Sequence, residues 1–248
     1  MIAGLTPDQI TVAIAAALAA AFVRGLAGFG MAILLVPVLG LAILPSEAVV
    51  VANLLGLFIG LVGLKKILGH AERSALHIAA LAMIATPLGV WLLTITDPAL
   101  ARFLIALVAL GAFLLVLLPK RADDHQPSSL ETGTTGIASG ILTGFAGMPG
   151  PPVVPYYLRR AMPVQMARAS MMTIFLATSF AGSVSALALG VATVREPILA
   201  AILYPAVLLG NWLGTLAFGR VSESAWRIFV GVVLGLAAVA ALLKLLQA

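Results

Sequence analysis

Cysteine is absent from this chain of 248 residues, and charged residues make up only 9% of it. The lack of cysteine excludes disulfide bonds, thiolate catalysis and cysteine-ligated metals. The scarcity of charge excludes an ordinary soluble domain, because 62% of the residues are hydrophobic and such a domain could not bury so much apolar surface. The composition therefore predicts an all-α integral membrane protein. Since the amino terminus has no basic region and no convincing cleavage site, we expect no cleaved signal peptide.

Histidine is also scarce, with only three residues in the chain. They are His70, His77 and His125, whose spacing matches no metal-ligand pattern, and no His-Glu-x-x-His motif exists. We therefore predict neither a metal site nor a cofactor. Ser183 could be imagined as an intramembrane nucleophile, but no histidine base is predicted within a span beside it. The sequence therefore argues against an enzyme.

The basic residues indicate membrane topology rather than a nucleic-acid partner. The net charge is +5, yet these residues lie in short loops between apolar runs and not on one amphipathic face. Two groups on opposite sides of the membrane are predicted: Lys65, Lys66, Arg73, Lys120, Arg121, Arg159, Arg160, Arg168, Arg220 and Arg227 on one side, and Arg102, Arg195 and Lys244 on the other. The larger group marks the cytoplasmic side. We expect a multi-pass protein of the cell inner membrane with both termini outside the cytoplasm.

A glycine-rich apolar element occurs twice in the chain. Residues 24–39 read RGLAGFGMAILLVPVL, and residues 139–158 read SGILTGFAGMPGPPVVPYYL. Later landmarks match in the same order: Pro37 with Pro155, Pro45 with Pro163, Pro87 with Pro205, and GVWL at 89–92 with GNWL at 210–213. An internal duplication in a membrane protein is typical of a transporter.

Five apolar segments occur in each half of the chain. The first half has them at about 10–23, 29–45, 48–64, 75–95 and 98–118, and the second at about 135–146, 150–158, 169–192, 197–219 and 225–246. The stretch between the halves is polar and is the only candidate linker. We therefore predict a first transmembrane repeat over 1–119, a cytoplasmic linker over 120–134 and a second transmembrane repeat over 135–248.

The first two segments of each half are too short to cross a hydrocarbon core of about 30 Å comfortably, and glycines and prolines interrupt them where they meet. Each pair predicts a re-entrant helical hairpin, followed by three transmembrane helices. If each half crosses the membrane three times, the second half starts on the opposite side of the membrane from the first. We therefore expect two inverted repeats. A single broken helix that crosses once would instead make the repeats parallel. Because broken backbone at membrane depth must be buried or line a cavity, the hairpin tips should face a pathway.

The duplicated element contains a Val-Pro pair in each copy, Val36-Pro37 and Val154-Pro155, and the second copy precedes the Ala/Ser/Thr-rich helix ARASMMTIFLATSFAG. In these features the chain resembles the sulfite exporter TauE/SafE family of membrane permeases. The resemblance covers nearly the whole chain. The resemblance implies transport of sulfur-containing anions, such as sulfite or sulfoacetate-like organosulfonates. Family members often carry a denser glycine run at each hairpin, and this departure bears on the substrate more than on the fold.

Glycines at the two hairpin tips are the first candidates for substrate binding: Gly28, Gly30, Gly147 and Gly150. The second arms of the hairpins should begin near Gly30 and Gly150, where helix N-termini would offer unpaired N–H groups to an anion held between the tips near the membrane midplane. Glycine also lets a polyatomic anion approach the backbone. Tight helix packing by small residues is the alternative role.

Arg24 is the only charged residue between Asp8 and Glu47. A cation within an apolar segment costs about 2.5–3.5 kcal/mol, so Arg24 should face protein or water. Its guanidinium could hold a sulfonate through two parallel hydrogen bonds. Alternatively, it satisfies carbonyl groups of the hairpin or reaches an interface.

Five further residues complete the predicted substrate site: Asn53, Gln165, Arg168, Thr173 and Asn211. Gln165 and Arg168 could form a cytoplasmic anion entrance, although Arg168 could equally be a topology anchor. Thr173 lies on a helix where hydroxyl groups usually bond to their own backbone. Asn53 and Asn211 are costly to leave unpaired within a span, which favours a functional role.

No carboxylate lies clearly within a predicted span, so the sequence shows no obvious proton relay. A membrane potential that is negative inside drives an anion outward by about 2.3 kcal/mol per charge per 100 mV, which favours export. The predicted partners are a small organic or inorganic sulfur anion and the lipid bilayer, with a homodimer left open. A channel for other small solutes and a structural membrane protein are the alternatives.

Overall fold

The computed structural model describes residues 5–62, 64–116, 126–160 and 162–218. Within these ranges the chain forms ten α-helices: α1 Pro7–Ala27, α2 Met31–Leu39, α3 Pro45–Leu61, α4 Leu64–His70, α5 Arg73–Ile95, α6 Pro98–Val116, α7 Ser129–Ala146, α8 Gly150–Leu158, α9 Val164–Ala188 and α10 Arg195–Ala217. By length and composition α1, α5, α9 and α10 can cross a membrane, which agrees with an all-α membrane protein. The predicted segment 225–246 and the first part of the predicted linker lie outside the described residues.

The first helix is longer than the sequence analysis predicted. It begins after Thr6, whose hydroxyl accepts the Gln9 N–H, and it ends at Gly28, which has a φ of 84°. Its 21 residues rise about 31 Å, so the expectation that both arms of this pair are too short to cross is wrong for α1. Arg24 lies in the last turn of α1, where a cation interacts favourably with the helix dipole and does not end the helix.

The pair α7 and α8 repeats this arrangement of one long and one short helix. α7 has 18 residues and begins at Ser129, inside the stretch predicted as linker, because the Ser128 hydroxyl accepts the Glu131 N–H and caps the helix. It ends at Gly147, which has a φ of 69°. α8, like α2, has only nine residues, about 13 Å, so the prediction of a short arm is correct for both second helices.

Each short helix folds back along the long helix before it. In the first pair, Val38 and Leu39 at the end of α2 lie with Leu5 and Gln9, near the start of α1, around one groove. In the second pair, the Tyr156 hydroxyl of α8 lies 3.0 Å from the Thr132 hydroxyl near the start of α7. The chain therefore reverses direction at both glycine-containing breaks.

Glycines allow each long helix of a pair to pack closely on a helix of the other half. Gly210 and Gly214 of α10 lie against the Leu18 and Phe22 carbonyls of α1. The same contact recurs between α7 and α5, where Gly140 and Gly144 lie against the Ala82 and Thr86 carbonyls. In both cases the contacts advance along the two helices together, so α1 runs parallel to α10 and α7 runs parallel to α5. Small residues at these positions let the two backbones touch.

The packing shifts one of the sequence matches by a helical turn. The sequence comparison aligned Gly89 with Gly210. In the structure, Gly89 of α5 faces the Ile141 carbonyl, and it is Gly214 that faces the matching Phe22 carbonyl. In a glycine-rich helix, sequence identity is a weaker guide to which positions of the two halves are structurally equivalent than the backbone contact that the glycine permits.

The third helices of the two halves, α3 and α9, pack against each other. Gly56 of α3 lies opposite Ser179 of α9, and Gly60 lies opposite Leu176. Because residue numbers rise along one helix as they fall along the other, α3 and α9 run in opposite directions. Their contact lies beside both breaks, since Gly56 and Ser179 share a cavity wall with them.

Candidate anion-binding site

The two breaks in the helix pairs lie on the wall of one cavity. Gly30 and Met31 from the first break and Gly147 to Gly150 from the second contribute to this wall. The cavity contains about 480 Å³ of space between atoms, part of it open to solvent. We call it the central cavity. The sequence predicted that the breaks face a common space, and the geometry brings them together there.

The first break depends on two glycines with left-handed backbone. Gly28 and Gly30 have φ values of 84° and 99°, a conformation that costs other L-residues about 1–2 kcal/mol. Gly28 lies just outside the wall of the central cavity, and a Cβ atom there would meet the Arg168 side chain. At the second break Gly147 is left-handed, whereas Gly150 is not. Gly150 therefore serves as a residue of the wall, not as a conformational requirement.

Backbone donors are distributed unequally between the two short helices. The first turn of an α-helix leaves its N–H groups without an intrahelical acceptor, and α2 begins with Met31, Ala32 and Ile33, which all keep an N–H. α8 begins with Gly150 followed by Pro151 and Pro152, and proline has no N–H to donate. An anion in the central cavity would therefore find most of its backbone donors on α2.

Arg24 is the cationic side chain on the wall of the central cavity among the described residues. It is only 5% exposed, and its Nη1 donates a 2.8 Å hydrogen bond to Oδ1 of Asn211. Within the described part of the chain no carboxylate forms an ion pair with it. A guanidinium has five N–H donors, so a buried cation with a neutral partner keeps most of its donors and its full charge. Such a group can bind an anion.

A second, larger cavity lies on the other side of this hydrogen bond. Its wall includes Gln165, Arg168 and Asn211, three residues that the sequence predicted for the site. Arg168 donates to the Gly25 carbonyl, and its guanidinium carbon lies 4.7 Å from the centre of the Phe218 ring. Gln165 is exposed. We call this space the outer cavity; the Arg24–Asn211 hydrogen bond joins its wall to that of the central cavity.

Besides Gly28, two of the predicted site residues lie outside the walls of both cavities. Thr173 donates a 3.0 Å hydrogen bond to the Ala169 carbonyl, which is the backbone bond that serine and threonine commonly make in membrane helices. Asn53 is only 2% exposed, and its Nδ2 has no hydrogen-bond partner among the residues that the structure describes. Its amide lies against Gly182, so Asn53 contributes to the contact between α3 and α9.

The central cavity also contains residues that the sequence analysis did not select. Ser179 presents a hydroxyl group on its wall, and Phe29, Phe175 and Met148 make most of the remainder apolar. The sequence of α9 offers several hydroxyl residues and does not single out Ser179. Its position opposite Gly56, where a Cβ atom would meet the serine side chain, depends on the packing of α3 on α9.

Arginines hold the far ends of both short helices in place. Arg102 of α6 donates a 2.8 Å hydrogen bond to the Gly40 carbonyl at the end of α2. After α8, Arg160 donates two hydrogen bonds of 2.7 and 2.8 Å to Glu72. Burial alone would raise the pKa of Glu72, but the hydrogen bonds from Arg160 and Ser74 outweigh it and hold that pKa below its usual value. These contacts fix the short helices whose first turns line the central cavity.

Comparison with known proteins gives one match. A family model described as Sulfite exporter TauE/SafE matches residues 13–241 of the chain. The matched range contains every residue that the structure places on the walls of the central and outer cavities. Searches of curated proteins and of solved structures found no match.

Proposed function

The chain belongs to the sulfite exporter TauE/SafE family, and on this premise we propose that it is a membrane permease that exports small sulfur-containing anions, such as sulfite or sulfoacetate-like organosulfonates. The anion binds in the central cavity between the two helix breaks, near the middle of the membrane. Four apolar helices of sufficient length support the membrane location. The family assignment supports a transporter and not an enzyme.

The observation that carries this proposal is the burial of the Arg24 guanidinium beside a neutral partner. A buried guanidinium normally requires an anionic partner, because removing a charge from water costs several kcal/mol. Among the described residues Arg24 has only the neutral Asn211 as its hydrogen-bond partner, and its cavity wall also includes Met31, Ala32 and Ile33, the first residues of α2. The combination provides charge and directional donors for a sulfonate or sulfite.

The two halves form inverted repeats in this proposal. Three packing relationships support it: α1 runs parallel to α10, α7 runs parallel to α5, and α3 runs opposite to α9. In the first two, the long helix of one half packs in the same way on a helix of the other half. In the third, the equivalent helices of the two halves point in opposite directions. We assign the repeats to 1–119 and 135–248, with the cytoplasmic linker 120–134 between them; the start of α7 at Ser129 extends the second repeat into that linker.

Each helix pair acts as a re-entrant hairpin that enters from one side and returns to it. The reversal of the chain at both breaks supports this, although the long arms reach further than their short partners. Arg159 and Arg160, which follow α8, and Arg168 of α9 then lie on the cytoplasmic side with most of the other basic residues, and both termini lie outside the cytoplasm. The protein resides in the cell inner membrane.

The two cavities mark the path of the anion in this proposal. An anion enters the outer cavity from the cytoplasm past Gln165 and Arg168, and it reaches the central cavity when the Arg24–Asn211 hydrogen bond opens. Arg24 can exchange its neutral partner for the anion, because no carboxylate of the described residues competes with the anion for it. The membrane potential favours outward movement of the charge, so export needs no coupled ion.

Transport by the full chain in proteoliposomes tests the proposed function. We expect flux of at least one anion among sulfite, ethanesulfonate, isethionate and sulfoacetate, and a loss of about tenfold or more in Arg24→Ala, because a hydrogen bond to a charged group contributes about 1.5–3 kcal/mol. Arg73→Ala is the matched control, since Arg73 is exposed at the start of α5. Absence of flux for every anion, or flux unchanged by Arg24→Ala, would overturn the proposal.

A further inference from the structure

The side-chain hydroxyl of Ser179 lies on the wall of the central cavity without a hydrogen-bond partner among the residues that the structure describes. Ser179 is only 6% exposed, so the cavity is the space from which a partner can reach this hydroxyl. A buried polar group without a partner is costly. Together with the buried Arg24 on the same wall, the unpaired hydroxyl indicates a place for a polar ligand.

Neighbouring hydroxyl groups of α9 bond to their own helix, whereas that of Ser179 does not. Thr178 donates to the Phe175 carbonyl at 3.2 Å, and Ser183 donates to the Ser179 carbonyl at 2.8 Å, as is usual in membrane helices. The corresponding acceptor for Ser179 is the Phe175 carbonyl. That carbonyl accepts the helical N–H four residues later and the Thr178 hydroxyl, so both of its lone pairs are in use. The Ser179 hydroxyl is therefore left for the cavity.

A glycine opposite Ser179 keeps this hydroxyl in its place. Gly56 of α3 lies on the same cavity wall, and a Cβ atom there would come within 2.5 Å of the Ser179 hydroxyl oxygen. Any side chain at position 56 would therefore displace the hydroxyl. The contact between α3 and α9 thus presents an unpaired donor to the cavity.

The anions of the proposed function carry one oxygen more than the guanidinium fork of Arg24 can hold. Two parallel N–H groups of a guanidinium bond two oxygens. A carboxylate has only these two, whereas a sulfonate or sulfite has a third oxygen outside their plane. Donors for the third oxygen must come from another direction. The central cavity offers the Ser179 hydroxyl and the first-turn N–H groups of α2, from Met31, Ala32 and Ile33.

We propose that Ser179 is a second anion-binding side chain of the central cavity, whose hydroxyl donates to the third oxygen of a sulfonate or sulfite. The inference rests on the proposed function, because it takes Arg24 as the group that holds the other two oxygens. A carboxylate on Arg24 leaves the Ser179 hydroxyl unpaired, and sites built to bond a ligand oxygen discriminate against ligands that lack it. Ser179 therefore makes the site prefer sulfur oxyanions to carboxylates.

Two pairs of ligands that exchange only a sulfonate for a carboxylate test this preference on the purified full chain: ethanesulfonate with propionate, and sulfoacetate with malonate. Titration calorimetry at neutral pH should show at least one sulfonate binding about tenfold tighter than its carboxylate partner. In Ser179→Ala the affinity for that sulfonate should fall about tenfold, while that for the carboxylate changes by less than about twofold. Ser183→Ala is the matched control on α9, because Ser183 lies outside both cavity walls, and it should leave the ratio unchanged.

Gly56→Ala provides a second test, because the added methyl group displaces the Ser179 hydroxyl without removing it. The ratio of sulfonate to carboxylate affinity should fall as it does in Ser179→Ala. Equal binding within both ligand pairs, or a ratio that neither variant changes, would overturn the inference and leave the anion site at Arg24 in place. Absence of binding for both sulfonates would instead contradict the proposed function itself.

Discussion

Arg24 and Asn211 come from opposite halves of the chain and are joined by a 2.8 Å hydrogen bond. This bond lies where the walls of the central and outer cavities meet. Asn211 accepts with its side-chain oxygen, so it orients the guanidinium and leaves its positive charge intact. The charge is what makes Arg24 available to an anion, and the identity of residue 211 therefore controls the site.

Replacing Asn211 by aspartate should convert this hydrogen bond into an ion pair. A carboxylate at the same place would occupy Arg24 and compete with the substrate, so we expect sulfonate affinity to fall by about tenfold or more. Because the partly buried pair keeps its hydrogen bond, the melting temperature should be kept. Asn211→Ala removes the acceptor but leaves the charge free and should weaken binding less. If Asn211→Asp binds sulfonate as well as the original protein, the charge of Arg24 is not used for binding.

The left-handed glycine that ends α1 should tolerate no side chain. Gly28→Ala would place a Cβ atom at a φ of 84° and against the Arg168 side chain, so we expect a loss of about 1–2 kcal/mol or more in the free energy of unfolding. Gly69→Ala is the matched control, because outside the adjacent backbone of its own helix no described atom lies within 4 Å of the added methyl group and alanine favours the helix. The measurement is the melting temperature of each variant compared with that of the original protein. Equal stability of the two variants would show that the break does not require its left-handed backbone.

The ion pair between Glu72 and Arg160 should make stability depend on pH in the acid range. The pKa of Glu72 is lowered from its ordinary value of 4.5, so its contribution is present above about pH 4.5 and is lost as the pH falls through the lower, folded-state pKa. We expect the melting temperature to decline on acidification more steeply in the original protein than in Glu72→Gln. Parallel curves for both proteins would show that Glu72 contributes no acid-sensitive stability.

The absence of cysteine makes the topology directly testable. Single cysteines introduced at Asp8 and at Gln126, which are both exposed, can be labelled without background reaction. A membrane-impermeant maleimide added to intact cells should label the Asp8→Cys protein and spare the Gln126→Cys protein until the cells are opened. The reverse pattern would place the basic side of the protein outside the cytoplasm and contradict the positive-inside assignment.

The sequence predicted the breaks well because their cause is local. Glycine can adopt the left-handed conformation that ends α1 and α7, and the duplication marked both places. The predicted first apolar segment ended near residue 23, whereas α1 continues to Ala27. In the structure the charge of Arg24 lies within the last turn and is accommodated by Asn211.

The partners of the site residues could not be predicted, because they depend on packing between distant helices. Arg24 and Asn211 are 187 positions apart, and only the glycine contacts between α1 and α10 bring them together. The same holds for Ser179. Its place on the cavity wall depends on how closely α3 approaches α9 at Gly56, and the sequence of α9 alone offers several equivalent hydroxyl groups.

Sulfonate affinity and melting temperature, measured on the same preparations of Arg24→Ala and Arg24→Lys, test the central claim that Arg24 binds the transported anion. We predict that alanine weakens ethanesulfonate binding by about 1.5–3 kcal/mol and that lysine restores only part of the loss, because it lacks the planar fork of donors. Unchanged affinity in both variants, with a lower melting temperature, would contradict the account and assign Arg24 to the fold alone.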